Sequence, residues 1–404
     1  MGFKKQLIQE NSVKVADYSN VISKIKKELK KRKIKAEVVL GGSVAKGTYL
    51  KNYDFDIFVQ FYRNPDSDRL EKVLKAIFKK VERMHGSRDY FKLSYQGSSY
   101  EIVPVLRIDK AEQAENVTDA SMLHVNWVKQ HLKNPGQTKL AKLFCKAQKV
   151  YGAESYISGF SGYILEILTV YYGSFDKMIR AVADWKPKVV IDAAKHYKNK
   201  KQIMNELNAS KLVSPLILID PVQKDRNAAA AVSMEKFTKF VKAANKYLRK
   251  PSIKFFVREE FSITKLKKEA KQLDSSLHVL KVEPLKGKED IVYGKLLKVY
   301  ELIKKQLEMN DFNVLKSEFE FDENLFWYIV NPKVLPEKKK QAGPKLGVRK
   351  DFIETFRKKY KNARIEKERW VANVKRKYRA PKELMNKLIK SEYAKERAKS
   401  IKWY

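Results

Sequence analysis

Asp54 and Asp56 stand two residues apart at the start of "DFDIFVQF", a run that otherwise alternates like a half-buried strand. A strand projects residues i and i+2 from one face. Any fold that accepts this run must therefore carry both carboxylates on the same side of a sheet, where they can share a divalent cation. Two carboxylates so close repel, and Mg²⁺ between them relieves the repulsion, the arrangement that metal-assisted chemistry on phosphates uses. A bare D-x-D also fits the polar face of an edge strand with no ligand, so the pair does not decide alone.

The preceding turn adds weight. Gly41-Gly42-Ser43 follows the apolar run "KAEVVL" and lacks bulky side chains, so its backbone N–H groups and the Ser43 hydroxyl can approach phosphate oxygens closely. Lys46, three residues on, supplies positive charge for the same triphosphate. Glu101, in "SYEIVPV", offers a third carboxylate if its strand pairs with that of the aspartates; it equally fits an ordinary surface position.

The chain's 86 Lys+Arg against 47 Asp+Glu give a formal charge of +39. An excess of one sign points to a polyanionic partner, nucleic acid first, because adaptation to heat or salt normally raises both signs together. The single cysteine, Cys145, leaves no internal disulfide framework and fits a reducing, cytoplasmic setting. No run reaches the roughly 18 apolar residues of a membrane span, and the N-terminal segment lacks the apolar core of a signal peptide, so no membrane partner is expected. The histidines are scattered and no cysteine pair exists, which disfavours zinc and leaves oxygen ligands for any catalytic metal.

At 404 residues the chain exceeds the usual single-core size, so two or three domains are expected. Tyr18, Val21, Ile22, Ile25 and Leu29 recur at helical spacing within an amphipathic helix near residues 10–32. "KAEVVLGGS" and "DFDIFVQF" read as strands, "DRLEKVLKAIFKKVERM" as a helix, and "YFKLSYQGSSYEIVPVL" as a hairpin across Gly97. These make residues 1–118 an α/β head. Residues 119–250 read as mainly helical, including "PKVVIDAAKHY" and "DRNAAAAVSMEKFTKFVKAANKYL", with one strand-like run, "VSPLILIDP". Arg226 opens the alanine run, where a helix N-terminus would aim its guanidinium at a ligand. Residues 251–404 alternate strands and helices, with "FFVREEF", "SLHVLKVEPL", "FEFDENLFWYIVNP" and "ERWVANVKRKY" as strands. Within them, residues 337–404 hold 24 basic against 8 acidic residues, a net +16, interleaved with Trp370, Tyr378, Tyr393, Trp403 and Tyr404. Such a surface suits a phosphate backbone and stacked bases.

The pattern G-S-x-x-x-G-T-x-L followed by D-x-D resembles the nucleotidyltransferase superfamily of the DNA polymerase β type, and in detail the archaeal (class I) CCA-adding enzymes. "KAQKVYGAESYISGFSGYILEILTVYYGSF" and "IDPVQKDRNAAAAVS" are similar to that family's G-F-S-G-Y segment and D-P-x-x-x-x-R-N-x-A-A element, so the likeness covers roughly residues 38–235. It implies an α+β multidomain fold: a polymerase β-like head, a helical neck, and a mixed α/β body and tail. It further implies an enzyme that adds CCA to tRNA 3′ ends from CTP and ATP without a template, using Mg²⁺. Under the resemblance Asp54, Asp56 and Glu101 match the metal-binding carboxylates, and Gly42, Ser43 and Lys46 match the triphosphate turn. His124 and Lys146 are the counterparts of further nucleotide-contacting residues, and Arg226 of an arginine that helps read the base. From the residues alone, His124 also fits a structural histidine, Lys146 a solvated lysine, and Arg226 a cap or ion pair. The family more often has Asp where Glu101 stands, tyrosine at Ser155 and a basic residue at Ser158. A poly(A) polymerase or oligoadenylate synthetase-like enzyme, or an inactive basic tRNA-binding protein, is the alternative; a homodimeric state stays open.

Overall fold

Leu7, Val21, Ile25 and Leu29 are the first buried apolar residues of the chain, and they belong to two helices: Gly2–Glu10 (α1) and Ser19–Lys31 (α2). The computed structural model describes residues 2–404. The helix expected from residue 10 starts only at Ser19, because side chains break the chain between the two. Asn11 Nδ2 and Ser12 Oγ donate to the carbonyls of Leu7 and Ile8 at the end of α1, and the Asp17 carboxylate accepts the Ser19 N–H.

A five-stranded sheet follows, built from Ala36–Leu40 (β1), Phe55–Phe61 (β2), Glu82–Met84 (β3), Tyr90–Tyr95 (β4) and Ser98–Leu106 (β5) in the order β1-β2-β5-β4-β3. The short helix Gly42–Ala45 (α3) lies between β1 and β2, and Ser67–Ile77 (α4) follows β2. The helix expected through residue 84 ends at Ile77; Arg83 and Met84 instead pair with β4. β2 and β5 run parallel, with Asp56 opposite Glu101. Phe55, Ile57, Val59 and Phe61 of β2 pack with Tyr100 and Ile102 of β5, Val21 and Ile25 of α2, and Leu70 and Leu74 of α4. Strand alternation then puts Asp56 and Glu101 on the opposite face.

The next stretch is helical: Ser121–His131 (α5), Pro135–Ala147 (α6), Gly162–Tyr172 (α7), Phe175–Ala183 (α8), Lys200–Glu206 (α9) and Met234–Arg249 (α10). Its core is aromatic, with Phe144, Phe160, Phe175, Phe240 and Tyr247 buried together, and it takes in Leu7 from α1 and Phe256. One expected helix is absent here and another starts late. Val189–Asp192 is a strand (β6) paired in parallel with Leu216–Ile219 (β7), as its β-branched run favours. The alanines after Arg226 form turns, because Asn227 Oδ1 accepts the N–H groups of Leu218 and Ala229 while its Nδ2 donates to Lys211 O and Leu216 O. The helix begins only once Ser233 caps it. "FFVREEF" forms no strand; Ile253–Phe256 is a short 3₁₀ turn whose Phe256 is drawn into the aromatic core.

All of this lies in one compact unit ending at Glu259; Glu260–Tyr404 is a second. The second contains Ile263–Gln272 (α11), Ser276–Glu283 (β8), Glu289–Met309 (α12), Asn313–Glu320 (β9), Leu325–Asn331 (β10), Lys338–Lys345 (β11), Lys350–Lys359 (α13), Arg364–Glu366 (β12), Arg369–Lys375 (β13), Pro381–Ile389 (α14), Glu392–Lys395 (α15) and Ser400–Trp403 (β14). "FEFDENLFWYIVNP" is the turn and second arm of a hairpin. Four strands form an antiparallel sheet β14-β8-β10-β9, and three form β11-β13-β12. The basic segment 337–404 is no appendage, since Leu384, Met385, Ala394 and Ala398 are buried with Leu296 and Ile303 of α12, and β14 pairs with β8. Among the described residues no helix is long and apolar enough to cross a membrane.

Candidate active site

Asp54 lies exposed just before β2, Asp56 is two residues on, and Glu101 is the parallel-register partner of Asp56 on β5. Burial, reinforced by the charges of Glu101 and Asp54, pushes the Asp56 carboxyl up from 3.8 to about 6; Lys46 and the Ser43 N–H act in the opposite sense. Two negative charges thus act on a third, half-buried one, a repulsion that a divalent cation would relieve. Glu101 is meanwhile engaged by Lys92 of β4, whose Nζ lies 2.9 Å from Glu101 Oε1. Among the described residues no three histidine, cysteine or acidic side chains converge on a common point.

The turn after β1 presses directly on Asp56. Gly41 N–H donates to the Asp56 carbonyl at 2.7 Å. Gly42 has φ +58, and a Cβ there would stand 1.6 Å from Asp56 Oδ2, so only glycine permits both this conformation and this approach. Ser43 follows on α3. Gly42→Ala is expected to displace either the turn or the carboxylate, with backbone strain of about 1–2 kcal/mol. The thermal midpoint checks it, and a parent-like midpoint would show that the turn accommodates the methyl group.

Lys46 faces the helical part of the unit. Its Nζ donates to Glu166 Oε2 of α7 at 2.6 Å, and Thr48 Oγ1 donates to Glu166 Oε1 at 2.5 Å. Lys142 of α6 donates to Thr48 O and Oγ1 at 3.0 and 3.1 Å. Two opposing carboxylate-side partners therefore act on Lys46, since it also pulls on Asp56.

Asp220, at the end of β7, gathers a second cluster. Tyr163 of α7 donates its hydroxyl to Oδ1 at 3.0 Å, the Val222 N–H donates to the same oxygen, and Arg226 donates to Oδ2. His124 Nε2 of α5 lies 3.1 Å from Oδ2 but off the line of a hydrogen bond, and its ring rests 4.4 Å from that of Tyr163. Burial alone would raise the Asp220 carboxyl; His124 and Arg226 outweigh it and hold it well below the usual carboxylate range. Arg226 thus comes from a turn, not a helix N-terminus, with 39% of its side chain exposed. Lys146 lies one helical turn beyond Lys142. Part of it reaches solvent, but protein on its other side, with its Nζ 5.1 Å over the Tyr151 ring, removes enough water to lower its pKa. Ser158 Oγ donates to Ser155 O, which keeps those two serines within one turn.

Three family models match in succession: a nucleotidyltransferase domain over residues 22–109, the second domain of tRNA nucleotidyltransferase over 136–257, and the C-terminal domain of CCA-adding enzymes over 274–402. The CCA-adding enzyme of Nanoarchaeum equitans is 38% identical over 80% of each chain. This chain belongs to the CCA-adding enzymes. That of Methanosarcina mazei is 31% identical over 87% of this chain and 79% of its own, and that of Methanocaldococcus jannaschii 31% over 85% and 78%. The fold is shared more widely. A cytoplasmic RNA terminal U-transferase matches with TM-score 0.50 at 15% identity, and the Cid1 poly(U) polymerase bound to MgATP with 0.51 at 14%, each over 64% of this chain and 98% of the other.

For a CCA-adding enzyme the head is thus the expected polymerase β-like nucleotidyltransferase, which works with divalent cations. Four residues that build this region had no site role in the sequence: Lys142, Glu166, and Tyr163 and Asp220, although Tyr163 ends the G-F-S-G-Y segment and Asp220 opens the D-P-x-x-x-x-R-N-x-A-A element. Glu166 carried a signal, as the one charged residue in the apolar helix "GYILEILTVYY". Lys142 is indistinguishable in sequence from its solvated neighbours.

Proposed function

We propose that the enzyme completes tRNA 3′ ends with CCA from CTP and ATP, without a template, at the face of the head that carries Asp54, Asp56 and Glu101. The observation that carries this reading is the parallel register of β2 and β5, which sets Glu101 beside Asp56 above the glycine turn. These carboxylates would hold Mg²⁺, an ion usually bound through one or two carboxylates together with substrate phosphates. When bound, it would lower the pKa of the tRNA 3′-hydroxyl and neutralise charge on the triphosphate. Gly42 and Ser43 would bring backbone N–H groups to the triphosphate, with Lys46 and Lys146 as cations near it. Arg226, fixed by Asp220, would present its planar fork to the base edge, with His124 alongside. Residues 1–118 would then act as head, 119–250 as neck, and the basic 251–404 as the surface that follows the tRNA backbone. A cytoplasmic setting accords with the single buried cysteine.

The direct test supplies tRNA lacking its terminal CCA, Mg²⁺ and labelled CTP or ATP. CTP incorporation followed by a single AMP supports the reading. Runs of AMP would favour the poly(A) polymerase-like alternative, and binding without incorporation the inactive one.

Glu101 has its own test. Glu101→Gln keeps the size but removes the charge, so incorporation is expected to fall by about 100-fold or more, while Glu101→Asp retains measurable activity. Equal, parent-like rates for both variants would leave only Asp54 and Asp56 as ligands.

A further inference from the structure

The cluster of Lys46, Thr48, Lys142 and Glu166 lies where the loop after the glycine turn meets α6 and α7. Side-chain exposure is 10% at Lys46, 5% at Lys142 and 1% at Glu166, and Thr48 is fully buried. Glu166 uses both oxygens on this loop: Oε2 accepts from Lys46 Nζ and Oε1 from Thr48 Oγ1. Lys142 Nζ closes the arrangement from α6 by bonding to the carbonyl and hydroxyl of Thr48. A lone carboxylate at this depth would be costly, and the two ammonium groups compensate it.

The same two helices serve the rest of the site. On α7, Glu166 stands three residues from Tyr163, so the two share a face, and Tyr163 donates to the Asp220 that holds Arg226. On α6, Lys142 stands one turn before Lys146. One helix face therefore touches the phosphate-side loop through Glu166 and, through Tyr163, the Asp220 that holds the base-side arginine.

We infer that Glu166 is a positioning residue: it sets the place of the Lys46 ammonium and of the loop that carries it, and so fixes the spacing between the triphosphate side and the base side of the nucleotide site. Lys142 supports it by neutralising the carboxylate and holding Thr48. The inference rests on the reading of Lys46 as a cation on the triphosphate side. A purely structural ion cluster would seal the helices against the head and nothing more, and the two roles differ in what they do to nucleotide affinity.

Glu166→Gln retains the shape and the acceptor for Thr48 but removes the charge that holds Lys46. KM for CTP and for ATP is expected to rise by roughly tenfold or more with kcat changed only a few-fold, the pattern of lost binding common to ground and transition states. Affinity for a fluorescent nucleotide analogue without tRNA should fall in parallel, and Glu166→Asp should recover part of it. Because Glu166 acts through Lys46, Lys46→Met combined with Glu166→Gln should be no worse than Lys46→Met alone. If Glu166→Gln does not fold, the pair Glu166→Gln with Lys142→Met removes one charge of each sign and should show the same rise in KM. A parent-like KM in whichever of these variants folds, with a loss of rate matching the loss of folded protein, would overturn the inference, as would additive effects of Lys46→Met and Glu166→Gln. The parent's incorporation of CTP and ATP is measured in the same series, so failure of the functional reading appears in the parent and failure of this inference only in the variants.

Discussion

Asp56→Asn should abolish CCA addition while making the metal-free protein more stable. Incorporation is expected to fall by about 1,000-fold or more, since the substitution removes the most buried of the three charges that would hold the cation. Affinity for tRNA should stay within a few-fold, because phosphate contacts over the basic surface supply most of the binding. The stability gain follows from the Asp56 carboxyl lying at about 6 in the folded chain against an ordinary 3.8. A carboxyl whose folded pKa is raised stabilises the fold at low pH, and that contribution is lost as pH rises through the folded value. At neutral pH the ionised Asp56 therefore costs up to about 3 kcal/mol, the free-energy equivalent of the shift. In a chelating buffer the parent's thermal midpoint should drop between pH 4 and pH 6 relative to that of Asp56→Asn, and added divalent cation should restore it. Midpoints that run parallel over this range would show that Asp56 is not held in a strained ionised state, and near-parent incorporation would remove it from the metal site.

How much of this was legible in the sequence depends on the range of the contacts. The head was readable because its signals are local: the alternation of β2, the apolar spacing of α2 and the glycine pair before α3 each state their own geometry. Residue spacing predicts Asp54 and Asp56 on one strand face, whereas β2 begins only at Phe55 and leaves Asp54 just before it; only the pairing of β2 with β5 sets Glu101 beside Asp56, and nothing local reveals Lys92 across the next strand. The errors have a common cause. Val189–Asp192 read as helix because its short apolar run fits either period, and the pairing with β7 decides it. The alanines after Arg226 have the strongest helix propensity of all residues, yet the four hydrogen bonds of the Asn227 side chain hold them in turns. Propensity of a few tenths of a kcal/mol per residue cannot outweigh a buried, fully bonded amide.

The C-terminal segment is likewise held by contacts distant in sequence. Its charge points to a nucleic-acid surface but conceals its apolar positions, which are scattered among lysines: Leu384 and Met385 on α14, then Ala394 and Ala398. Removing everything after residue 336 would therefore strip β14 from its sheet and open the core of the second unit. Charge reversal on exposed lysines tests the RNA surface without that damage.

Asp220→Ala is expected to be the most destabilising of the substitutions considered, by about 3 kcal/mol, because it withdraws one acceptor from several donors at once. Tyr163 Oη and the Val222 N–H lose their partner in the interior, whereas Arg226, being partly exposed, can recover water. Asp220→Asn separates charge from shape. Its amide oxygen can still accept from Tyr163 and Val222, but its NH₂ would then face the Arg226 guanidinium, donor against donor. Stability should fall by only about 1–2 kcal/mol, while discrimination of CTP and ATP against UTP and GTP weakens as Arg226 loses its fixed direction. The pH dependence distinguishes this from a packing defect. The folded Asp220 carboxyl lies well below its ordinary 3.8, so the stability it contributes is fully present above that value and is lost as pH falls below it toward the depressed folded pKa. The difference between parent and Asp220→Asn, read from hydrogen exchange of α7 amides in urea, should be constant from neutral pH to about pH 5 and shrink on further acidification. A difference that does not change with pH would mean that the charge of Asp220 does not hold Arg226.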